Sequence, residues 1–212
     1  MSEHDANARY IREATAEPDS IARARSRADE IGAAPISALV GAQYAVLAAA
    51  VNARTIVEIG TGAGVSGLWL LRGAPHAVLT SIDNEPEHLA AARQAFADAR
   101  IPTTRARFIT GRAADVLPRM NEGSYDIVLV DADPDNVIEY VEHGLRLVRT
   151  GGIVLVPRIL VGGKVADPVQ RDAVTAAYRS LIQETQQSQA VLASISSSGE
   201  GLLQLISVTE AD

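Results

Sequence analysis

Thr55-Ile56-Val57-Glu58-Ile59-Gly60-Thr61-Gly62-Ala63-Gly64-Val65-Ser66-Gly67 is the stretch on which the fold turns. Its first five residues are β-branched or apolar around one acid and read as a buried strand. Alternate glycines then turn the chain, and a helix is expected near residues 66–71. Glycine permits φ > 0 and lets a ligand reach the backbone, though a tight turn without a ligand is the plainer alternative. The helix that follows would offer free N–H groups and a partial positive charge. A literal Gly-x-Gly-x-x-Gly lies at Gly62, Gly64 and Gly67. A dinucleotide fingerprint would instead start at Gly60 and need glycine at Val65. The pattern is better described as acidic-x-Gly-x-Gly-x-Gly from Glu58. A carboxylate there repels a pyrophosphate and suits a ligand carrying an ammonium group.

Outward from this turn, strands and helices alternate. Strands are expected at 77–82, 105–109, 125–130 and 153–156, with helices at 85–99 and 136–148, the latter closed by Gly151-Gly152. Residues 38–52 read as an amphipathic helix and 167–187 as a long polar one. Residues 190–195 and 202–208 form a hairpin, which a parallel sheet accepts only at an edge. The expectation is an α/β, doubly wound, seven-stranded sheet with a C-terminal antiparallel strand. One domain spans 1–212, with 1–35 as peripheral N-terminal helices interrupted near Pro18. Those helices are either a solvated face or an arm over a partner subunit or pocket.

Composition narrows the function. The net charge is −7 and aromatic residues make up 4%, so no basic or stacking surface for nucleic acid or membrane is expected. There is no cysteine, which removes disulfides, thiolate metal sites and thiol nucleophiles. The polar start Met1-Ser2-Glu3-His4-Asp5 does not read as a secretory signal, and a cytoplasmic location is expected. There is no Gly-x-Ser-x-Gly elbow and no Gly-Lys-Ser/Thr phosphate loop.

In such sheets ligands sit beyond the carboxyl ends of the strands, so residues following strands are the candidates. Asp83 ends the second strand, 19 residues beyond Gly64, and can accept both ribose hydroxyls of a nucleoside, or cap the next helix. The nicotinamide dinucleotides and S-adenosylmethionine (SAM) both carry that ribose; the ammonium argument at Glu58 favours SAM. Asp131 and Asp133 end the fourth strand. They must meet a cation, a donor or a metal, or else lie in a solvated turn with Asp133 as a cap.

With these residues in place, the chain resembles the bacterial family-3 O-methyltransferases, relatives of the catechol and caffeoyl-CoA enzymes, over about residues 30–208. The likeness rests on Pro35-Ile36-Ser37, the run from Glu58 to Ser66, and Ile82-Asp83-x-x-Pro86-Glu87-His88. It rests also on the run from Asp126 to Asp133, on Gly151-Gly152, and on the run from Gly162 to Pro168. It looks most like an actinobacterial branch. The resemblance implies that Glu58, Gly60, Thr61, Gly62 and Ser66 hold the methionine end of SAM and Asp83 the ribose. Ala113 would line the adenine pocket, Ile36 would approach from the amino-terminal side, and Asp133 would contact SAM. His88 would lie beside the adenine or be a surface residue. A homodimer is implied as well.

Two departures stand out. Metal-dependent members end the fifth strand in Asp-Asn, where this chain has Val156-Pro157-Arg158, and they have Lys where it has Pro134. Asp131 alone does not make a magnesium site, and Arg158 repels an ion. No tightly bound metal is therefore expected. Arg158 is expected to pair with Asp131 or a substrate oxygen, and Asp131 is the best base. The partner is a small-molecule acceptor. An RNA methyltransferase is disfavoured by the charge of −7 and the few aromatic residues, and two further rivals stay open. One is a nicotinamide-dependent oxidoreductase, disfavoured by the displaced glycines and the lack of Tyr-x-x-x-Lys. The other is a SAM-binding sensor or partner subunit that has lost catalysis.

Overall fold

A computed structural model describes residues 3–208. Residues 1–2 and 209–212 of the expected domain lie outside the described residues. So do the side chains of residues 3–5 in the polar start, His4 included. The helices are α1 Glu3–Ala14, α2 Asp19–Glu30, α3 Ala38–Ala50, α4 Val65–Gly73, α5 Pro86–Asp98, α6 Ala113–Val116, α7 Val137–Leu147 and α8 Ala173–Gln187. The strands are β1 Thr55–Ile59, β2 Val78–Asp83, β3 Ala106–Thr110, β4 Tyr125–Val130, β5 Val148–Pro157, β6 Val191–Ser196 and β7 Leu202–Ser207.

The strands form one seven-stranded sheet in the order β3-β2-β1-β4-β5-β7-β6. β1 to β5 run parallel, and β7 is antiparallel to both β5 and β6. The hairpin therefore joins the sheet through its second strand. The strand order reverses between β1 and β4, which opens a crevice at their carboxyl ends. Alternation along the strands splits the core into two layers. Ile56, Leu79, Leu129 and Leu155 pack with Tyr44, Trp69 and Phe96 on the face covered by α3, α4 and α5. Val57, Ile82, Val128 and Val154 pack with Val141, Tyr178 and Leu181 on the face of α7 and α8.

Four local expectations change. α3 is apolar on nearly every face rather than amphipathic: Val40, Tyr44 and Ala48 are buried, yet Val46 is 68% exposed. Its Gly41 is fixed by packing, since a Cβ there would sit 2.2 Å from the Trp69 indole. Gly151-Gly152 does not close α7. The helix ends at Leu147, and the pair lies inside β5, where the register against β4 shifts between Tyr125 and Ile127. Gly151 has φ +75, as a bulge requires. The helix expected over 167–187 begins only at Ala173, because Asp172 caps it by accepting from Thr175 N at 3.0 Å. Finally, the N-terminal helices divide between the two readings. α1 leaves Tyr10 and Ile11 exposed, while α2 docks through Ile21, Ala24 and Ala28 onto α4 and α5. Ala28 reaches the crevice. Among the described residues, no helix is long and apolar enough to cross a membrane.

Candidate active site

The crevice is a cleft of about 380 Å³. Its walls are the turn after β1, the ends of β2 and β4, and the 32–36 segment before α3. Ile36, Gly60, Thr61, Gly62, Ser66, Asp83, Ala113, Asp131, Asp133 and Arg158 all line it, brought together from six separate stretches of chain. Lys164 does not reach it and is exposed.

Glu58 departs from expectation. It is fully buried and does not line the cleft. On β1 it shares a sheet face with Ile56, so its side chain runs under α4 instead of out to a ligand. There it accepts from Ser66 Oγ at 2.6 Å and from Ser81 Oγ at 2.5 Å. Burial pushes its carboxyl up to about 7, and the two serine bonds oppose that rise. Ser66, not Glu58, is the group at the cleft wall.

Four N–H groups of the turn have acceptors within the protein. Gly60 N donates to Ile82 O at 2.9 Å and Gly64 N to Thr61 O at 2.9 Å. Thr61 N and Gly62 N both donate to Asp83 Oδ2, at 2.9 and 3.1 Å. Thr61 Oγ1 lies 2.6 Å from Ser81 Oγ. A phosphate-binding turn presents its N–H groups to the ligand; here these four close on the protein, and the cleft-lining Ala63, Val65 and Ser66 keep theirs at the start of α4. Gly60 is required by the fold: with φ +92, a Cβ would sit 2.0 Å from the Asp131 carbonyl oxygen. Asp83 lines the cleft and is not the cap of α5, which is Glu85. The other Asp83 oxygen accepts from Glu85 N at 2.9 Å, ahead of α5. His88 Nδ1 lies 3.2 Å from Asp83 Oδ2.

At the opposite end, Arg158 forms an ion pair with Asp131 and donates through its other terminal nitrogen to the Ala34 carbonyl. The guanidinium thus ties the end of β5 to the end of β4 and to the segment before α3. Burial raises the Asp131 carboxyl, with Arg158 pulling the other way. Arg158 holds φ +57, a left-handed conformation that costs on the order of 1 kcal/mol for a residue with a Cβ. Asp133 is exposed and caps its own turn, accepting from Asp135 N at 3.0 Å and from the Asn136 side chain.

This donor set does not fit a divalent cation. Asp131 faces a guanidinium, Asp133 is turned into its cap, and Val156-Pro157 brings no side-chain oxygen. Among the described residues no cluster of three or more metal-ligating side chains occurs.

Sequence reasoning missed a second cavity of about 240 Å³. It shares Asp131, Ala132, Asp133 and Arg158 with the cleft, and its own walls include Val130, Val137, Val161, Val174, Tyr178 and the carboxylate-bearing Glu200. Burial and the charge of Asp131 push the Tyr178 phenol up to about 12, against the pull of Arg158. Nothing in the helical pattern of α8 separates Tyr178 from an ordinary core residue. Ser81 was also missed, although a polar pair, Thr80-Ser81, inside an apolar strand was a visible signal.

A family profile described as O-methyltransferase matches residues 24–206. A Mycobacterium tuberculosis H37Rv protein named as an O-methyltransferase is 46% identical over 184 residues, covering 86% of this chain and 82% of its own length. A Mycolicibacterium smegmatis relative is 46% identical over 187 residues, 86% of this chain and 88% of its own. A solved Corynebacterium glutamicum protein superposes with TM-score 0.91 at 28% identity, over 99% of each chain. The O-methyltransferase TomG of Streptomyces achromogenes, involved in tomaymycin synthesis and solved with SAM, gives TM-score 0.86 at 26% identity, over 99% of this chain and all of its own. The sheet order, the profile that spans the crevice from α2 to β7 and the mycobacterial relatives agree: this chain belongs to the O-methyltransferase family.

Proposed function

We propose that this O-methyltransferase takes SAM in the cleft and methylates a hydroxyl of a small molecule held in the adjoining cavity, without a tightly bound divalent metal. The observation that carries the reading is the turn above Glu58, whose Thr61 and Gly62 N–H groups are taken by Asp83. Acceptor atoms and a buried carboxylate suit the ammonium and sulfonium charges of SAM and offer little to a pyrophosphate. In this reading Gly60, Thr61, Gly62 and Ser66 surround the amino-acid end, Asp83 meets the ribose, Ala113 lines the adenine pocket, Ile36 closes from the amino-terminal side and Asp133 borders the ligand.

Methyl transfer is an in-line displacement, so alignment is the main task. The two cavities meet at Asp131, Ala132, Asp133 and Arg158, the residues that would flank an acceptor oxygen and the methyl group that bound SAM would supply. The acceptor hydroxyl gives its proton to Asp131, whose basicity burial has raised. Bound SAM would supply an electrophilic methyl, which would pass to that oxygen as the C–S bond breaks and a neutral thioether leaves. Arg158, always protonated, stabilises the developing oxyanion but cannot be the base. An acceptor already ionised needs no base. The chain is read as cytoplasmic and as a homodimer; the exposed Val46 on α3 and Tyr10 and Ile11 on the adjoining α1 favour self-association.

The test is methyl transfer from labelled SAM to a panel of small hydroxylated compounds after exhaustive chelation. Turnover that persists supports the proposal. Turnover abolished by chelator and restored by magnesium overturns the metal-free mechanism. SAM binding with no turnover on any acceptor favours the sensor reading, for which the missing Asp-Asn pair is the specific observation.

A further inference from the structure

We infer that the second cavity takes a compact ring-bearing alcohol or phenol whose remaining arm is cationic or neutral, and that Glu200 at its mouth makes this choice. This acceptor class rests on the SAM-dependent reading above.

Size and walls come first. The cavity holds about 240 Å³, and an apolar hole of about 150 Å³ holds benzene. Val130, Val137, Val161 and Val174 supply apolar surface for one ring with a short arm. Tyr178 adds a phenol but no charge, because burial pushes it up to about 12.

Charge decides the arm. Asp131, Asp133, Glu200 and Arg158 are the charged residues on the wall. Arg158 pairs with Asp131, so that couple is balanced. Asp133 and Glu200 have no ion-pair partner among the described residues. The cations beside these walls in sequence do not offset them. Lys164 does not line the cavity, and Arg179 is spent on the carbonyls of Lys164, Val165, Asp167 and Gln170.

Glu200 is exposed, whereas Val130, Val137 and Tyr178 are buried, so its carboxylate stands at the open side. Its backbone is nevertheless fixed. Glu200 O accepts from Leu160 N at 3.0 Å, and Gly201 O accepts from Ile159 N at 3.2 Å. Gly201 has φ +86, and a Cβ there would sit 2.6 Å from Leu160 Cγ. The turn between β6 and β7 is thereby clamped to the chain leaving β5, and Glu200 is held at the wall it shares with Arg158. An ammonium arm is attracted there, and a carboxylate or phosphate arm is repelled.

The experiment saturates the protein with S-adenosylhomocysteine, so that the cleft is filled. It then titrates three matched phenols calorimetrically at low salt: tyramine, para-ethylphenol and para-hydroxyphenylpropionate. Ring and hydroxyl are the same, and only the arm differs. The ammonium form is expected to bind about tenfold or more tighter than the carboxylate form, with the neutral form between, and the gap should shrink in high salt. Glu200→Gln should narrow that gap by about threefold or more, and Glu200→Lys should reverse the order. Glu142→Gln removes the same charge from an exposed position on α7 outside the cavity and should leave the gap as it is. Equal binding of the three forms, preference for the carboxylate, binding by none of them, or a gap that Glu200→Gln leaves unchanged overturns the inference. The readout is binding, so a chain that binds without turnover bears on the catalytic reading alone. Failure to bind S-adenosylhomocysteine overturns the cofactor reading beneath it, which is a separate outcome.

Discussion

At the β1 end of the cleft the buried carboxylate of Glu58 is met by two neutral hydroxyls; at the β4 end the carboxylate of Asp131 is met by a guanidinium. Both groups are pushed up by burial, but only Asp131 has a cation of its own to pull it back. A buried negative charge without a counter-charge is costly, and a ligand that brings one is favoured in proportion. Under the proposed function, the β1 end receives a positive group from outside, and the β4 end, already balanced by Arg158, shares that arginine with a developing oxyanion. On that proposal the contrast divides ground-state binding from transition-state stabilisation.

Arg158→Ala should break the comparison most sharply. Removing a positive group aimed at a developing oxyanion costs on the order of 100- to 1,000-fold in kcat. Affinity for SAM should change by less than about threefold, because the loss falls on the transition state. Stability should also fall, since the half-buried Asp131 is left unpaired. Steady-state kinetics together with direct SAM titration checks this. A loss expressed mainly in SAM affinity assigns Arg158 to the cofactor and erases the division between the two ends.

A milder test uses pH. Glu58 titrates at about 7 in the folded chain, above its ordinary 4.5. An ammonium ligand prefers the ionised form, so SAM affinity should rise several-fold between about pH 6 and pH 8 and level off above. Stability of the ligand-free protein runs the opposite way. The folded state holds the Glu58 proton longer than the unfolded chain, so this contribution is complete below about pH 4.5 and is lost as pH rises through about 7. Asp83 and Asp131 act on Glu58, and His88 stands beside Asp83, so Glu58→Gln is the control. The pH dependence of affinity should flatten in that variant. A profile that persists there belongs to another group.

Much of the fold was legible because strand ends and glycines carry local signals. β1 and β4 fall where alternation and branching place them, and the Asp83, Asp131 and Arg158 positions follow from the rule that sites lie beyond strand termini. The misses share a cause. Glu58 was read as facing the ligand because its position before the turn is visible in sequence, whereas the sheet face it takes is set by pairing with β2 and β4. Gly151-Gly152 has the same composition whether it ends a helix or bulges a strand, and only the β4 register decides. The second cavity is assembled from β4, β5, α7 and α8 around valines and one tyrosine that read as ordinary core.

The most direct measurement is a calorimetric titration of the purified chain with SAM and, separately, with NADH. The account predicts saturable binding of one SAM per chain and no heat of binding from NADH. Saturable NADH binding with SAM excluded would contradict it, because a pyrophosphate would then be lying where the N–H groups of Thr61 and Gly62 are already taken by Asp83.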